Sequence, residues 1–255
     1  MKGGQILAKA SKFMTIKNFL QNPTGAYSAG FARRDLIIQG MKWRYQELLK
    51  KNGHPKMVVW EENDHVYFHF KMPSEKFGKK CIYDVVIKFV CSNPSLMKSS
   101  TTLNGYGINV FSNAPNFMFT YAYVYNQDGI LIPESKSKLP EECLTKKPEV
   151  KNPNESYGFE KSVYFALLYI MDQGYNVKVK AKARYHKTMD IEQCMIPIET
   201  AGAKLDDYNR CKKQEQLEKR AKKNAEKRKK EAEKKKIETK KKKVNDNKNK
   251  KRKTP

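Results

Sequence analysis

"CIYDVVIKFV", residues 81–90, holds eight apolar or aromatic residues, and only Asp84 and Lys88 break the run. Dense β-branched and aromatic residues without a helical period read as a buried strand. Two similar runs precede it, "MVVWEE" from Met57 and "HVYFHF" from His65, each bounded by Pro, Gly or Ser. "YGINVF" from Tyr106 follows it. "NFMFTYAYVYN", residues 116–126, places Phe117, Phe119, Tyr121, Tyr123 and Tyr125 at every second position, the alternation of a strand with one aromatic face. Asn126 to Gly129 then gives hairpin-like spacing to "ILI". Five or six strands in a mainly antiparallel sheet are expected.

Two principal helices should pack on that sheet. From about Ala29 to Lys51, Ile37, Met41, Tyr45 and Leu48 recur at helical spacing, and Asn52-Gly53 supplies the stop. The polar side carries Arg33, Arg34, Lys42 and Arg44. Over 157–173, Phe159, Val163, Ala166, Leu167 and Ile170 keep the same period, with apolar residues nearly all round, as in a central helix. Between them, 133–153 is rich in proline and charge and reads as a long surface connection. Residues 175–186 alternate small apolar residues with Lys178, Lys180, Lys182 and Arg184, a strand with one basic face. The fold class expected is α+β, with a basic arm over 1–21, one domain over 22–203, and a lysine-rich tail over 204–255.

The chain of 255 residues carries a formal charge of +25, from 52 Lys and Arg against 27 Asp and Glu. Residues 212–255 hold 22 of those cations against 7 acids, a local +15, which leaves +10 for the rest. Glu-to-Lys pairs at i, i+4, such as Glu215 with Lys219 and Glu226 with Lys230, favour helix to about residue 243. Polar residues beyond that point predict disorder. Cys81, Cys91, Cys143, Cys194 and Cys211 are scattered and odd in number, which fits a reducing, intracellular compartment, with cytoplasmic, nuclear and virion-associated locations all open. Neither a secretory leader nor an 18-residue apolar span is present in the sequence. Abundant Lys, Asn, Ile and Tyr match the bias of an AT-rich genome, bacterial or phage.

A charge of this size attracts polyanions at a distance. The expected function is non-catalytic, largely sequence-independent binding of DNA or RNA through phosphates. Its candidate residues are Arg33, Arg34, Lys42 and Arg44, the strand Lys178, Lys180, Lys182 and Arg184, and the tail residues Lys222, Lys223, Arg228, Lys229 and Lys230. Tyr121, Tyr123 and Tyr125 are candidates for base stacking, with burial in a core as the competing reading. The alternative function is a structural or assembly component, which would use the aromatic face for contacts with further copies or other proteins and the tail for a genome or an acidic partner.

"NGYGINVF", residues 104–111, resembles the RNP1 motif of RNA-recognition domains at Gly105, Tyr106, Gly107 and Phe111. Asn104, Ile108 and Asn109 depart from it where a leading cation, a stacking aromatic and a core aliphatic residue belong, so none of that family's residues is carried over. His65 and His69 share a strand face with Glu61, but two residues four apart on a strand lie about 13 Å apart, too far to hold one ion. No metal, cofactor or catalytic residue is expected, since no Walker loop, G-x-S-x-G or H-E-x-x-H is found.

Overall fold

The computed structural model describes residues 14–21, 31–62, 65–90, 102–149, 160–175 and 198–251, with backbone alone at 31–34 and 235–251. The chain divides into two units, Met1–Tyr208 and Asn209–Pro255. The first is α+β. Its sheet is an antiparallel meander in the order β1 (Lys56–Glu62), β2 (His65–Ser74), β3 (Gly78–Val90) and β4 (Gly107–Ser112). Register puts Phe68 opposite Val59 and Ile87, and Val86 opposite His69 and Phe111.

β3 is central, and both of its faces are covered, which is why its sequence does not alternate. One face, with Phe68, Phe70, Val85 and Ile87, receives helix α5 (Lys161–Asp172), where the Phe70 ring meets Tyr169 edge-on at 5.9 Å. Every residue of α5 from Ser162 to Ile170 is buried. Helix α2 (Phe31–Asn52) packs its Met41, Tyr45 and Leu48 stripe inward, and Tyr45 lies 6.0 Å from the Phe165 ring of α5. The α2 stripe and the central α5 match the expected helices in register and role.

Residues 14–21, expected to be part of a basic arm, belong instead to the core. The Ile108 N–H donates to the Met14 carbonyl (2.7 Å), and helix α1 (Ile16–Gln21) buries Ile16 and Phe19. Residues 130–132 add one parallel bridge on β4, with the Val110 N–H donating to Ile130 and the Ile132 N–H to Val110 (2.8 and 3.2 Å). Two short segments thus close the outer edge of β4, which would otherwise present open backbone groups.

A second correction concerns the aromatic stretch. Residues 117–125 are not a strand but a π-helix (Phe117–Tyr121) continued by helix α3 (Ala122–Gln127). The β4 edge beside it is taken by Met14 and residues 130–132. Phe117, Tyr121 and Tyr125 are also four apart, the spacing of a helix face. Phe117 and Tyr125 both bury, 5.4 Å apart, with Phe117 against Phe111 of β4 at 6.1 Å. Residues 133–149, expected to be an irregular connection, contain a 3-10 helix (Pro133–Lys138) and helix α4 (Glu141–Thr145). Helix α6 (Ala201–Lys251) is long and runs past the expected end near 243.

Candidate nucleic-acid interface

The second unit is helical through Lys251 for reasons visible in its charges. Lys219 pairs with Glu215 and Lys230 with Glu226, each at 2.7 Å across one turn, and Lys227 approaches Glu231 at 4.0 Å. Such pairs contribute about 0.3–0.5 kcal/mol each. Every residue from 216 to 234 is exposed, including Leu217, so no apolar stripe is sheltered there. Lys222, Lys223, Arg228 and Lys229 all stand in solvent, and Lys230 is exposed while holding Glu226. From Lys212 to Lys234 eleven Lys and Arg face five Glu, a net +6 spread over roughly 33 Å at 1.5 Å per residue.

In the first unit the expected cations separate. Arg33 and Arg34 fall in the first turn of α2 by backbone position. Lys42 is exposed, whereas Arg44 bonds Glu75 of the β2–β3 turn at 3.4 Å. The turn is held tightly to α2, because Gly78 adopts φ 59° with Asn52 Oδ1 only 2.7 Å from where a Cβ would sit. Lys178, Lys180, Lys182 and Arg184 lie outside the described residues. The outer side of α2 carries two large apolar residues seven apart, Leu36 (67% exposed) and Trp43 (62% exposed).

The aromatic candidates need correction as well. Tyr125 is fully buried and offers no face to a base; burial pushes its hydroxyl pKa well up. Tyr121 stacks on Tyr125 at 6.1 Å and, like Tyr123, is half-buried. The ring that does face solvent is Phe119, 50% exposed. A π turn rotates successive side chains by less than an α turn does, so alternation along the sequence does not foretell which ring is outside. Tyr106 and Phe111 of the RNP1-like stretch are core residues.

Phe119 stands at a cavity of about 400 Å3 between the β2–β3 turn, the start of the π-helix and the start of α5. Its polar lining includes Ser74, Glu160 and Ser162, all buried. Glu160 caps α5, accepting from the Ser162 hydroxyl (2.5 Å) and the Val163 N–H (2.7 Å). Burial raises its pKa, and those hydrogen bonds only partly offset the rise. Ser162 in turn meets Ser112 of β4 at 2.9 Å. At the rim Glu75 is shared by Arg44 and Lys161.

A second polar cluster lies on the other sheet face. Fully buried Asp84 accepts from His69 Nε2 (2.8 Å), Lys71 Nζ (2.5 Å) and Asn113 Nδ2 (2.9 Å). Burial raises the Asp84 pKa, but the hydrogen bonds from His69 and Lys71 and their charge outweigh it, leaving the carboxyl below the ordinary range. Nearby, Lys88 bonds Glu134 of the 3-10 helix at 2.8 Å and sits 5.2 Å from the Tyr67 ring centroid. The only sequence signal for either arrangement was the pair of charges inside the apolar run 81–90. Among the described residues no three His, Cys, Asp or Glu side chains are grouped to hold a metal ion, and no helix is long and apolar enough to cross a membrane. No protein-family model, curated protein or solved structure matches the chain.

Proposed function

We propose that the protein binds nucleic acid without catalysis, chiefly through phosphates. The reading rests on one observation, the exposed, cation-rich helix over 212–234. Contact between such a helix and a phosphate backbone releases condensed counterions, so affinity falls steeply with salt and depends little on sequence. Five scattered cysteines, odd in number, fit a reducing compartment. DNA and RNA are both admitted, because phosphate contacts position a partner without reading bases.

The test is fluorescence anisotropy with single- and double-stranded oligonucleotides over 50–200 mM salt. The full chain is compared with one carrying Lys222, Lys223, Arg228 and Lys229 all changed to Gln. On duplex DNA each lost phosphate contact flattens the slope of log K against log salt by about 0.9, so the four together remove up to roughly 3.6. Unchanged affinity and slope would refute the role of this helix.

A second reading, an assembly component, is favoured by Leu36 and Trp43, since an exposed Trp and Leu on one helix face suit a protein contact. It predicts a stable oligomer in sedimentation that Trp43→Ala dissociates. A monomer unaffected by that change at all concentrations would remove it.

A further inference from the structure

The cavity beside Phe119 suits more than phosphate. At about 400 Å3 it falls within the roughly 300–1,000 Å3 of small-molecule sites. Its walls divide by chemistry. Phe119 and Tyr208 supply aromatic surface, while the floor holds the buried carboxyl of Glu160 and the Ser162 hydroxyl. Lys76 and Lys161 line the cavity beside Glu75, which bonds both Lys161 and Arg44.

Phe119 is placed there by the π-helix. Such turns are rare and are frequently found at functional sites. Within it Phe117 and Met118 enter the core and Phe119 stays outside at the cavity. An apolar ring half in water is unfavourable in the free protein and becomes favourable once a flat partner covers it.

We propose that this cavity takes an unpaired nucleobase of a single strand, its ring against Phe119, its polar edge toward Glu160 and Ser162, and its flanking phosphates near Lys76 and Lys161. The inference rests on the nucleic-acid reading and deepens it: the lysine-rich helix gives unselective attraction, and the cavity gives preference for unpaired strands. Stacking on a protein ring tolerates any base, so the preference is for strandedness rather than sequence.

The experiment uses the full chain at 0.3 M salt, where the contribution of the lysine helix is screened. Affinity is measured for a single-stranded oligonucleotide containing one 2-aminopurine, for the matching duplex, and for free nucleoside monophosphates. Phe119→Ala removes the ring. Asn116→Trp, at an exposed position lining the same cavity, blocks it and removes only the long bond from the Thr120 hydroxyl to Asn116 Oδ1 (3.4 Å). Each variant is expected to lower single-strand affinity at least about five-fold, the lower end of what one stacked base gives, and to abolish 2-aminopurine quenching. Duplex binding, salt slope and thermal midpoint should stay as in the parent.

If both variants keep single-strand affinity and quenching, the cavity proposal falls while the phosphate-binding reading stands. If the full chain binds neither strand form even at low salt, both fall. Monophosphates bound as tightly as the oligonucleotide would show a free-nucleotide site and overturn the strand proposal.

Discussion

Replacing Asp84 with Asn tests how the sheet tolerates a charge at its centre. The Asp84 carboxylate is fully buried and accepts from His69, Lys71 and Asn113. Its backbone N–H also donates to Asn113 Oδ1 (2.8 Å), and Asn113 Nδ2 reaches the Glu199 carbonyl (2.9 Å), so one residue ties β3 to the loop after β4 and to the segment before α6. The amide is nearly isosteric, so packing is preserved, but it leaves the Lys71 ammonium, one-third exposed, without its counter-charge and His69 without its carboxylate partner. Losing charge-assisted hydrogen bonds to a buried carboxylate whose cation is partly solvated costs about 1.5–3 kcal/mol, a large part of the stability of an ordinary domain. Urea unfolding at pH 7 measures it. Because the folded carboxyl has a pKa below its ordinary 3.8, the unfolded chain binds the proton more readily. The stabilisation is therefore complete above about pH 3.8 and is lost as pH falls through the lower folded value. Asp84→Asn should lack that acid-side component. Adding Lys71→Met to Asp84→Asn should restore part of the loss, since the stranded cation is gone. A single variant within about 0.5 kcal/mol of the parent at pH 7 would refute the reasoning, because surface-like substitutions fall in that range.

Two glycines should respond in opposite directions. Gly78→Ala puts a Cβ at positive φ and 2.7 Å from Asn52 Oδ1, so it should destabilise by at least about 1–2 kcal/mol in the same urea assay. Gly40→Ala, inside α2 with nothing within 4 Å of the new Cβ, should stabilise by up to about 1 kcal/mol. Glu160→Gln tests the cap of α5. A carboxyl whose pKa is raised by burial holds its proton longer in the folded state, so stability declines as pH climbs from the ordinary 4.5 to the folded value. The amide can still accept from the Val163 N–H, and the variant should lose that decline in thermal midpoint over the same pH range.

Much of the first unit was legible because its signals are local. The strands 57–62, 65–70, 81–90 and 106–111 were marked by β-branched and aromatic density, and α2 by a stripe at Met41, Tyr45 and Leu48 that the packing uses directly. Asp84 and Lys88 were visible as two charges in an apolar run, yet nothing in the letters tells which partners will enclose them, since His69, Lys71, Asn113 and Glu134 come from three other segments. The cavity was invisible for the same reason. Its lining converges from the β2–β3 turn, the π-helix, the start of α5 and the first turns of α6.

The misreading of 116–126 has a physical cause that bears on function. Five aromatics at every second position satisfy the strand template, but Phe117, Tyr121 and Tyr125 satisfy the helix template equally well, and the pattern alone does not choose between them. Met14 and residues 130–132 occupy the outer edge of β4, and of the two only "ILI" carried a strand signal, read as the hairpin partner of 116–126. Once the helix is imposed, a regular α turn would distribute Phe117, Met118 and Phe119 at 100° intervals. The wider π turn lets two of them enter the core while the third remains at the surface. The element that the aromatic alternation hid is thus the one that carries Phe119 to the cavity. Exchanging local helix regularity for one exposed ring is hard to explain by stability alone, because burying a Phe side chain contributes about 1.5–3 kcal/mol that this position forgoes in part.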